Sequence, residues 1–576
     1  MIDIYKQWTH PFFHALISAG VTQVVISPGS RSTPLALTAL QHAAVQCHVV
    51  LDERSAAFFA LGQVRITGIP TVLICTSGSA GAHYFPAVIE AEAAHLPLIL
   101  ITADRPWELQ HCGANQTIHQ PHLFGSHVKR FFELGEPVAH NDAMAAVSRI
   151  AAQAVQQSLC PNPGPVHINA RFRKPLEPEV SNKSVSAPIN LSTVAIPPVA
   201  RVPEHAIEKL AAVCRTFQRG IIVCGPGPMP QDSTRRFNAL TAFAQATGYP
   251  VLAESASGVR RMSDVFIENA SAFFAADVFH TRMPDIIIEC HRPLTTGAYE
   301  KFLHTYPSIP RIVLSEDAYV DAQGTANMVI TGEVTNTLTR ATIGMTAAPD
   351  ETWAASLHQI DKQITHTRQT FVEEAPFCDA TALSTIIEML KEDATLCIGN
   401  SLVIRDTDLF APPVCAQRIL HQRGASGIDG GISGAAGSAS CLDSPVVVLV
   451  GDLAALHDLG GFALLAQATS PLVVVILNNN GGQIFSQLPI AQIPEIDAEL
   501  NSGFILPGTP DFEGVCTMFQ LPYLHADNRS ALIAHLNTAL GTPGASVVNV
   551  QLTAAPDFRK RFIEDVKNTL SLLTES

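Results

Sequence analysis

Two short apolar runs, each ending in polar residues, decide the fold class of this chain. Residues Val446–Asp452 read VVVLVGD, and residues Leu472–Gly482 read LVVVILNNNGG. Uninterrupted runs of β-branched residues that end in glycine or a polar residue are typical of parallel strands covered by helices on both faces. The two runs therefore predict neighbouring strands of a buried parallel sheet, joined by a helix near Asp458–Ala468.

The same pattern recurs along the chain and predicts an α/β protein with three open parallel-sheet domains. Further strands are expected at Val24–Ile26, His48–Leu51, Thr71–Cys75, Leu98–Thr102, Gly220–Cys224, Asp285–Glu289, Arg311–Ser315, Thr395–Ile398 and Ala545–Val550. Arg173–His205 is rich in Pro, Ser and Val and has no helical periodicity, which indicates a linker. We therefore expect domains at residues 1–180, 200–350 and 365–576.

The composition excludes several classes of protein. The chain has 576 residues, with 36 Lys and Arg against 51 Asp and Glu and a formal net charge of −15. Only 15 % of the residues are charged and 47 % are apolar, which excludes disorder over most of the chain and indicates extensive hidden surface. The acidic balance argues against nucleic acid as a partner, because phosphate binding needs a basic surface.

Neither membrane insertion nor export has support in the sequence. The longest apolar runs are far shorter than the ~20 residues of a membrane-spanning helix. Met1–His10 contains Asp3 and Lys6 and does not resemble a signal peptide. The 12 cysteines are scattered without any C-x-x-C spacing, as expected for reduced core residues. We therefore expect a cytoplasmic protein.

The polar residues that follow the two opening strands carry the first functional signal. In open parallel sheets the ligand binds beyond the carboxyl ends of the strands. Asp452 and Asn479 are 27 positions apart, which is about the length of one strand-helix-strand crossover. A carboxylate, an amide oxygen and the carbonyl of Gly481 are hard ligands of the kind that Mg²⁺ prefers. A helix cap at Asp452 and a polar turn at Asn478–Asn480 remain the alternative.

The Gly451-Asp452 pair, the spacer and the following Asn-Asn resemble the diphosphate-binding motif of thiamine-diphosphate enzymes. Leu453 stands where most of that superfamily has glycine. The segment DERSAAFFALG at Asp52–Gly62, followed by CTSG at Cys75–Gly78, resembles the pyrimidine-binding domain of the same superfamily. The resemblance implies thiamine diphosphate with Mg²⁺, or Mn²⁺ in its place. It also implies active sites at a subunit interface, in a homodimer or a dimer of dimers.

Glu53 fits the acid–base task of such a site. The aminopyrimidine of the cofactor must change tautomer, and a carboxyl group against its ring nitrogen promotes this best in a poorly solvated site. Glu53 follows a predicted strand and opens a predicted helix. A first-turn glutamate is also favoured by the helix dipole alone, so the catalytic role is what the resemblance implies.

Six longer segments carry a more specific resemblance. They are Ser27–Leu35, Thr102–Pro106, Gly113–Ile118, Gly399–Arg405, Arg423–Gly430 and Asn480–Ser486. Together they closely resemble the 2-succinyl-5-enolpyruvyl-6-hydroxy-3-cyclohexene-1-carboxylate (SEPHCHC) synthases of menaquinone biosynthesis. The resemblance covers the first and third domains nearly end to end, and this family also has leucine at the position of Leu453.

The resemblance implies a transferase reaction. In this family 2-oxoglutarate loses CO₂, and the remaining carbon unit adds to the conjugated alkene of isochorismate to give SEPHCHC. The cofactor supplies the difficult electronic chemistry, and the protein supplies orientation and charge. Both substrates are dicarboxylates, so forked guanidinium groups are the expected binders.

The resemblance also assigns roles to individual residues. Cofactor contacts are implied for Glu53, Ser401, Ile428, Gly451, Asp452 and Asn479, and metal contacts for Asp452, Asn479 and Gly481. Substrate contacts are implied for Ser30, Arg31, Arg105, Asn115, Gln116, Ser401, Arg405, Arg423, Ile484, Phe485 and Leu488. Ile428 matches the apolar wedge that bends the cofactor into a V. A solvated position for each arginine and ordinary core packing for each apolar residue are the alternatives.

Three other functions stay open at this point. The chain could be another thiamine-diphosphate carboligase or decarboxylase, such as one that makes acetohydroxy acids, or a non-catalytic assembly subunit of the same fold. A dinucleotide site at Gly225–Gly227 is weakly indicated, because Pro226 and Pro228 break the usual glycine-rich turn. In the middle domain Gly297 stands where the family commonly has a substrate-facing lysine. Whether Lys301 or Arg292 replaces that lysine is left unassigned.

Overall fold

The chain folds into three six-stranded β-sheets, as seen in a computed structural model. The structure describes residues 4–178, 201–227, 233–316, 319–343, 345, 350–508, 510–553 and 557–574. Every strand pairing in the three sheets is parallel. The predicted α/β class with three open parallel sheets is therefore confirmed.

The first sheet has the strand order β2-β1-β3-β4-β6-β5. Its strands are β1 (Gln23–Ile26), β2 (Gln46–Val49), β3 (Thr71–Cys75), β4 (Leu98–Asp104), β5 (Arg130–Gly135) and β6 (Pro165–Arg171). The helices of this part of the chain are α1 (Ile4–Ser18), α2 (Thr33–Leu40), α3 (Glu53–Thr67), α4 (Ala80–His83), α5 (Phe85–Ala93) and α6 (Asn141–Leu159). The central strands β3 and β4 are buried along their whole length, which explains their unbroken apolar sequences.

The middle sheet has the order β12-β11-β10-β7-β8-β9, which is the arrangement of doubly wound nucleotide-binding folds. Its strands are β7 (Gly220–Cys224), β8 (Val251–Ala253), β9 (Phe266–Ile267), β10 (Ile286–Cys290), β11 (Arg311–Ser315) and β12 (Met328–Thr331). The helices are α7 (Glu204–Thr216), α8 (Ser233–Thr247), α9 (Ala270–Ala275), α10 (Gly297–Thr305), α11 (Val334–Ile343) and α12 (Glu351–Glu374). At the switch point between β7 and β10, a Cβ added to Gly225 would lie 1.9 Å from the carbonyl oxygen of Arg292. The chain itself therefore lies against Gly225, where a dinucleotide would have to approach.

The third sheet has the order β14-β13-β15-β16-β18-β17, which repeats the topology of the first sheet. Its strands are β13 (Thr395–Ile398), β14 (Arg418–His421), β15 (Val446–Gly451), β16 (Leu472–Asn478), β17 (Tyr523–Ala526) and β18 (Ala545–Gln551). The helices are α13 (Asp379–Met389), α14 (Leu402–Phe410), α15 (Gly431–Ala439), α16 (Asp452–His457), α17 (Leu459–Leu465), α18 (Asp497–Leu500), α19 (Phe512–Met518), α20 (Arg529–Gly541) and α21 (Phe558–Thr574).

The chain divides into two compact units. The first comprises Met1–Val199 together with Gln422–Asp443 and His457–Ala468, and the second comprises Ala200–His421, Ser444–Leu456 and Thr469–Ser576. Helices α15 and α17 therefore group with the first sheet, although they follow β13 and β14 in sequence.

Helices α3 and α15 pack closely because glycines face each other where they meet. A Cβ added to Gly62 would lie 1.9 Å from the carbonyl oxygen of Gly434, and one added to Gly437 would lie 1.9 Å from that of Phe59. The Ser438 hydroxyl donates to the carbonyl of Gly62 at 3.2 Å. Backbones can approach this closely only where side chains are missing, so these glycines set the distance between the two helices.

The structure differs from the expected elements at one edge strand, at one helix and in the expected linker. The strand expected at His48–Leu51 lies two residues earlier, because the Asp52 carboxylate caps α3 by accepting the N–H of Arg54 at 2.9 Å. Leu51 is 84 % exposed in the connection. The helix expected from Asp458 is preceded by the separate helix α16. Of the expected linker, residues 179–200 lie outside the described residues, and α7 already begins at Glu204.

The cysteines agree with the expectation of reduced core residues. All 12 are free thiols, and eight of them are buried. Within the described ranges, none of the helices combines the length and the apolar character that crossing a bilayer requires.

The close packing of α3 on α15 gives a first prediction. A Gly62→Ala substitution forces a methyl group into the backbone of α15, and such overpacking costs about 1–3 kcal/mol or more. We expect a clearly lower midpoint of thermal unfolding. Gly541→Ala is the matched control, because Gly541 is helical and has open space around its Cα, and it should leave the midpoint unchanged or raise it. Equal midpoints for both variants would contradict the proposed role of Gly62.

Candidate functional site

The register of β15 and β16 brings the predicted metal ligands to one edge of the third sheet. Gly451 pairs with Leu477, so Asp452 leaves the sheet beside Asn478, the last residue of β16, and Asn479 follows one residue later. Asp452 is the first residue of α16. Because the strands run parallel, these polar residues all leave the sheet at its carboxyl-terminal edge.

The Asp452 carboxylate is buried and held by backbone N–H groups. One oxygen accepts the N–H of Gly481 at 2.6 Å, and the other accepts the N–H of Leu453 at 2.8 Å. Burial raises the pKa of Asp452, the two N–H groups oppose this shift, and the nearby charge of Asp379 adds to it. A buried carboxylate whose charge is only partly compensated is a site where a cation is favoured.

Gly481 has a conformation and surroundings that suit only glycine. Its φ is +106°, and a Cβ there would lie 2.3 Å from the carbonyl oxygen of Ile505. Asn480 before it also has a positive φ of +67°. The backbone of this turn therefore follows a path that ordinary residues do not take, and it folds back onto Asp452.

The side-chain amide of Asn479 is fixed by an aspartate from another helix. Its Nδ2 donates to Oδ1 of Asp379, the first residue of α13, at 2.9 Å. Asp379 is 6 % exposed, and burial raises its pKa while the charge of Arg559 lowers it. With the amide nitrogen committed to Asp379, the amide oxygen of Asn479 is left for another partner.

These residues fit a magnesium diphosphate. Asp452, Asn479 and the backbone of Gly481 offer a carboxylate, an amide and a carbonyl oxygen, and such hard ligands suit Mg²⁺ with its remaining positions filled by phosphate and water. A Cβ added to Gly451 would meet nothing within 4 Å, so there is space next to the motif. Among the described residues, no group of three or more His, Cys, Asp or Glu forms an alternative metal site.

Ser401 and Arg405 lie at the turn between β13 and α14. Ser401 caps α14 with φ +69° and ψ −130°, a strained conformation for a residue with a side chain. Nη1 of Arg405 donates to the carbonyl oxygen of Ser401 at 2.5 Å. Both residues are partly exposed. A guanidinium is thus tethered at the amino end of a helix, and both features attract anions.

The apolar residues predicted to line the reacting end follow β16 and its turn. Ile484 precedes a short 3₁₀ helix at Phe485–Gln487, and Leu488 follows that helix with 43 % of its surface exposed. The Phe485 ring packs edge-on against Phe504, with 5.4 Å between the ring centroids.

In the first unit, Glu53 is the first residue of α3 and lies next to the end of β3. Its charge contributes to raising the pKa of two fully buried neighbours, Cys75 and Tyr84, in which burial has the largest effect. Asp52 accepts from the backbone of Arg54 and so starts α3 at Glu53. Glu53 therefore has a defined position at the tip of the first sheet.

Arg31 and Arg105 are two predicted substrate-binding arginines of the first unit. Arg31 is 5 % exposed, and its Nη1 donates to the carbonyl oxygen of Phe172 at 2.6 Å. Burial and the positive charge of Arg105 lower the pKa of Arg31. Arg105 donates to the hydroxyl of Ser77. The charge of Asp104 offsets part of the charge of both guanidinium groups, which are suited to bind a carboxylate.

The loop that follows Arg105 is fastened to the Ser77-Gly78 turn. Gln116 donates to the carbonyl oxygen of Ser77 at 2.9 Å, and Gln120 accepts the N–H of Gly78 at 3.1 Å. Asn115, like Ser30 near Arg31, is exposed. Both residues are therefore accessible on the surface of the first unit.

The loop that carries Arg423 and Ile428 is held by Glu90 of α5. The Glu90 carboxylate accepts the N–H of Gly424 at 3.1 Å and that of Ala425 at 2.7 Å, and it pairs with Arg65 at 2.8 Å. Ile428 is 40 % exposed at the end of this loop, as expected of a side chain that would contact a cofactor.

Each unit thus gathers its own share of the predicted residues. The first unit contains Ser30, Arg31, Glu53, Arg105, Asn115, Gln116, Arg423 and Ile428, and the second contains Ser401, Arg405, Gly451, Asp452, Asn479, Gly481, Ile484, Phe485 and Leu488.

The sequence did not identify the carboxylates that support these residues. Asp379 and Glu90 are far from their partners in sequence and belong to no motif. A third, Asp406, follows Arg405 and pairs with Arg559 of α21, and burial raises the pKa of Asp406 to about 6. Only tertiary contacts reveal these residues.

The contacts of Glu90 give a second prediction. In Glu90→Ala, the amides of Gly424 and Ala425 lose a charged acceptor worth about 1.5–3 kcal/mol, so hydrogen exchange in the Arg423–Ile428 loop should accelerate about tenfold or more. Hydrogen–deuterium exchange with mass spectrometry measures this directly. Glu92→Ala, on the exposed side of the same helix, should leave the loop unchanged. Unaltered exchange in Glu90→Ala would contradict the anchoring role.

Family models match two parts of the chain. Residues 7–124 match the N-terminal TPP-binding domain of thiamine pyrophosphate enzymes, and residues 410–550 match the C-terminal TPP-binding domain. A solved structure described as a thiamin diphosphate-dependent enzyme from Mycobacterium smegmatis has a TM-score of 0.70 with 19 % identity. The similarity covers 96 % of this chain and 99 % of that one. This similarity confirms the fold.

Full-length relatives share one name. The SEPHCHC synthase of Sorangium cellulosum is 41 % identical over 95 % of this chain and 92 % of its own length. Those of Haloarcula marismortui and Roseiflexus castenholzii are 33 % and 34 % identical, over 99 % and 95 % of this chain and the same shares of their own lengths. The chain therefore belongs to the SEPHCHC synthase family of thiamine-diphosphate-dependent enzymes.

Proposed function

We propose that this protein joins 2-oxoglutarate to isochorismate with loss of CO₂ and so forms SEPHCHC. The full-length relatives support the activity. The observation that carries the substrate class is the placement of two tethered guanidinium groups in the first unit. Arg31 donates to the carbonyl of Phe172 and Arg105 to the hydroxyl of Ser77, and guanidinium groups of this kind bind carboxylates.

Asp452, Asn479 and the carbonyl of Gly481 would hold Mg²⁺ and, through it, the diphosphate of the cofactor. The buried Asp452 carboxylate supplies negative charge, and the turn after β16 brings Gly481 to it. The cofactor, when bound, supplies an electron sink for the bond that breaks and the bond that forms. Ile428 would support its bent shape, and Ser401 would contact it at the turn before α14.

Glu53 would hold and exchange a proton at the ring nitrogen of the aminopyrimidine. Its position as the first residue of α3, set by the Asp52 cap, fixes where the carboxyl group stands. The Glu53 side chain is half-buried. A carboxyl group in this position can act as a general acid or base toward a bound ring nitrogen.

The remaining residues would bind and orient the two dicarboxylates. Arg31, Arg405 and Arg423 would each hold a carboxylate with a forked guanidinium, and the polar side chains of Ser30, Asn115 and Gln116 would complete the substrate contacts. Arg105 would bind a carboxylate or orient its loop. Ile484, Phe485 and Leu488 would exclude water from the reacting end, which strengthens the charge interactions there.

We also propose an assembly and a location. The active sites would form at a subunit interface in a homodimer or a dimer of dimers, and sedimentation of the purified protein tests this. The domain boundaries would fall at residues 1–180, 200–350 and 365–576, since each range contains one complete sheet. A cytoplasmic location fits the 12 free thiols.

The activity has a direct test, which is the third prediction. Purified protein with thiamine diphosphate, Mg²⁺, 2-oxoglutarate and isochorismate should consume isochorismate and release CO₂. Pyruvate in place of 2-oxoglutarate should support much slower consumption, because it lacks the second carboxylate that an arginine would bind. Folded protein that leaves isochorismate intact would contradict the proposal, and a preference for pyruvate would indicate an acetohydroxy-acid type of carboligase instead.

The role of Glu53 gives the fourth prediction. Glu53→Gln keeps the shape of the side chain but cannot exchange the proton, so kcat should fall about 10²–10⁴-fold. Binding of the Mg²⁺ diphosphate should persist, because Asp452 and Asn479 are untouched. Steady-state kinetics and a thermal shift with cofactor measure the two effects. Glu92→Gln, on the exposed side of α5, is the control and should retain wild-type kcat. Near-normal turnover of Glu53→Gln would rule out the assigned role.

A further inference from the structure

Asp379 lies directly behind a proposed metal ligand and belongs to none of the motifs that indicate the cofactor site. It is the first residue of α13, only 6 % exposed, and its Oδ1 accepts the Nδ2–H of Asn479 at 2.9 Å. The two residues are 100 positions apart in sequence. A buried carboxylate is costly unless its hydrogen bonds and charge are compensated, so its position behind the metal motif calls for a function.

The chemistry of the two side chains relates this contact to the orientation of the Asn479 amide. A side-chain amide has an oxygen end and an NH₂ end of almost the same shape, and only the oxygen end can bind a metal ion. An ionised carboxylate only accepts hydrogen bonds, so it can face the NH₂ end but not the oxygen end. In the structure Oδ1 of Asp379 accepts from the NH₂ end of Asn479, so the oxygen end of the amide is turned away from Asp379.

The charge of Arg559 acts on Asp379, although burial has the larger, opposite effect and raises the pKa of Asp379. Arg559 of α21 pairs with both carboxylate oxygens of Asp406, and its charge also lowers the pKa of Asp379. The positive charge of Arg559 is thus shared by two buried carboxylates. Helix α21 therefore supplies a positive charge that acts on Asp379, which in turn accepts the hydrogen bond of Asn479.

We propose that Asp379 is a positioning residue that locks the amide of Asn479 with its oxygen toward the metal. This inference rests on the proposed magnesium diphosphate site and adds to it the residue that decides which end of Asn479 is presented. Partners of this kind, which orient metal ligands from behind, typically change metal affinity by about 10–100-fold when they are removed.

The test measures metal affinity without turnover. The shift in thermal unfolding midpoint that thiamine diphosphate produces is recorded over a Mg²⁺ series, which gives the Mg²⁺ concentration at half-maximal shift. For Asp379→Ala this concentration should rise about 10–100-fold. Asp379→Asn can present either end of its amide to Asn479, so its half-maximal Mg²⁺ concentration should lie between those of wild type and Asp379→Ala. Asp408→Ala removes another buried carboxylate on the neighbouring helix α14, which accepts from the N–H of Ser255, and should leave the half-maximal Mg²⁺ concentration unchanged.

A double variant separates orientation from simple destabilisation. An aspartate at position 479 has two equivalent oxygens and needs no orienting partner, so Asp379→Ala combined with Asn479→Asp should recover Mg²⁺ affinity relative to Asp379→Ala alone. A double variant as weak as Asp379→Ala, or an Asp379→Ala protein with wild-type Mg²⁺ dependence, would overturn the inference. If the wild-type protein shows no Mg²⁺-dependent shift at all, the proposed function fails instead.

Discussion

The parallel pairing of β15 with β16 is the constraint on which the cofactor site of this chain depends. The pairing of Gly451 with Leu477 makes Asp452 and Asn479 leave the sheet at the same edge, and Gly481 returns to Asp452 through a turn that only glycine can make. A one-residue slip in this pairing would move every polar residue of the motif to the wrong face. The buried apolar sequence of both strands specifies the register and thereby the metal site.

Long strands inside the sheets were mostly predictable, whereas most edge strands, the short strand β8 and the strand β6 were not. Four strands, namely Thr71–Cys75, Gly220–Cys224, Arg311–Ser315 and Thr395–Ile398, have the predicted bounds exactly as observed. The edge strand β2 has two half-buried central residues between two exposed ends, and it ends earlier than expected because a local cap on α3 terminates it. Strand β6 was not recognised although it is fully buried, because His167, Asn169 and Arg171 interrupt its apolar sequence. Those three residues form buried hydrogen bonds and an ion pair, but in the sequence they resemble the polar residues of an exposed segment.

The candidate site also contains residues that the sequence predicted and residues that it did not. The residues proposed to contact the cofactor follow strand ends in motifs with fixed spacing, so the sequence alone identified them as candidates. The residues that hold these candidates in place do not share that property. Glu90 binds the backbone of a loop more than 300 positions away, and Asp379 binds an amide 100 positions away. Any element that comes near could supply such a carboxylate, so neither composition nor spacing constrains where it occurs.

We propose above all that Asp452, Asn479 and Gly481 bind the metal diphosphate, while Glu53 exchanges a proton with the aminopyrimidine. A crystal structure of the protein with thiamine diphosphate and Mg²⁺ tests this most directly. We predict that the metal is bound by the Asp452 carboxylate, the Asn479 side-chain oxygen and the Gly481 carbonyl, with the Glu53 carboxyl group hydrogen-bonded to the pyrimidine ring. A metal held by other residues, or a Glu53 side chain that makes no contact with the cofactor, would contradict the account.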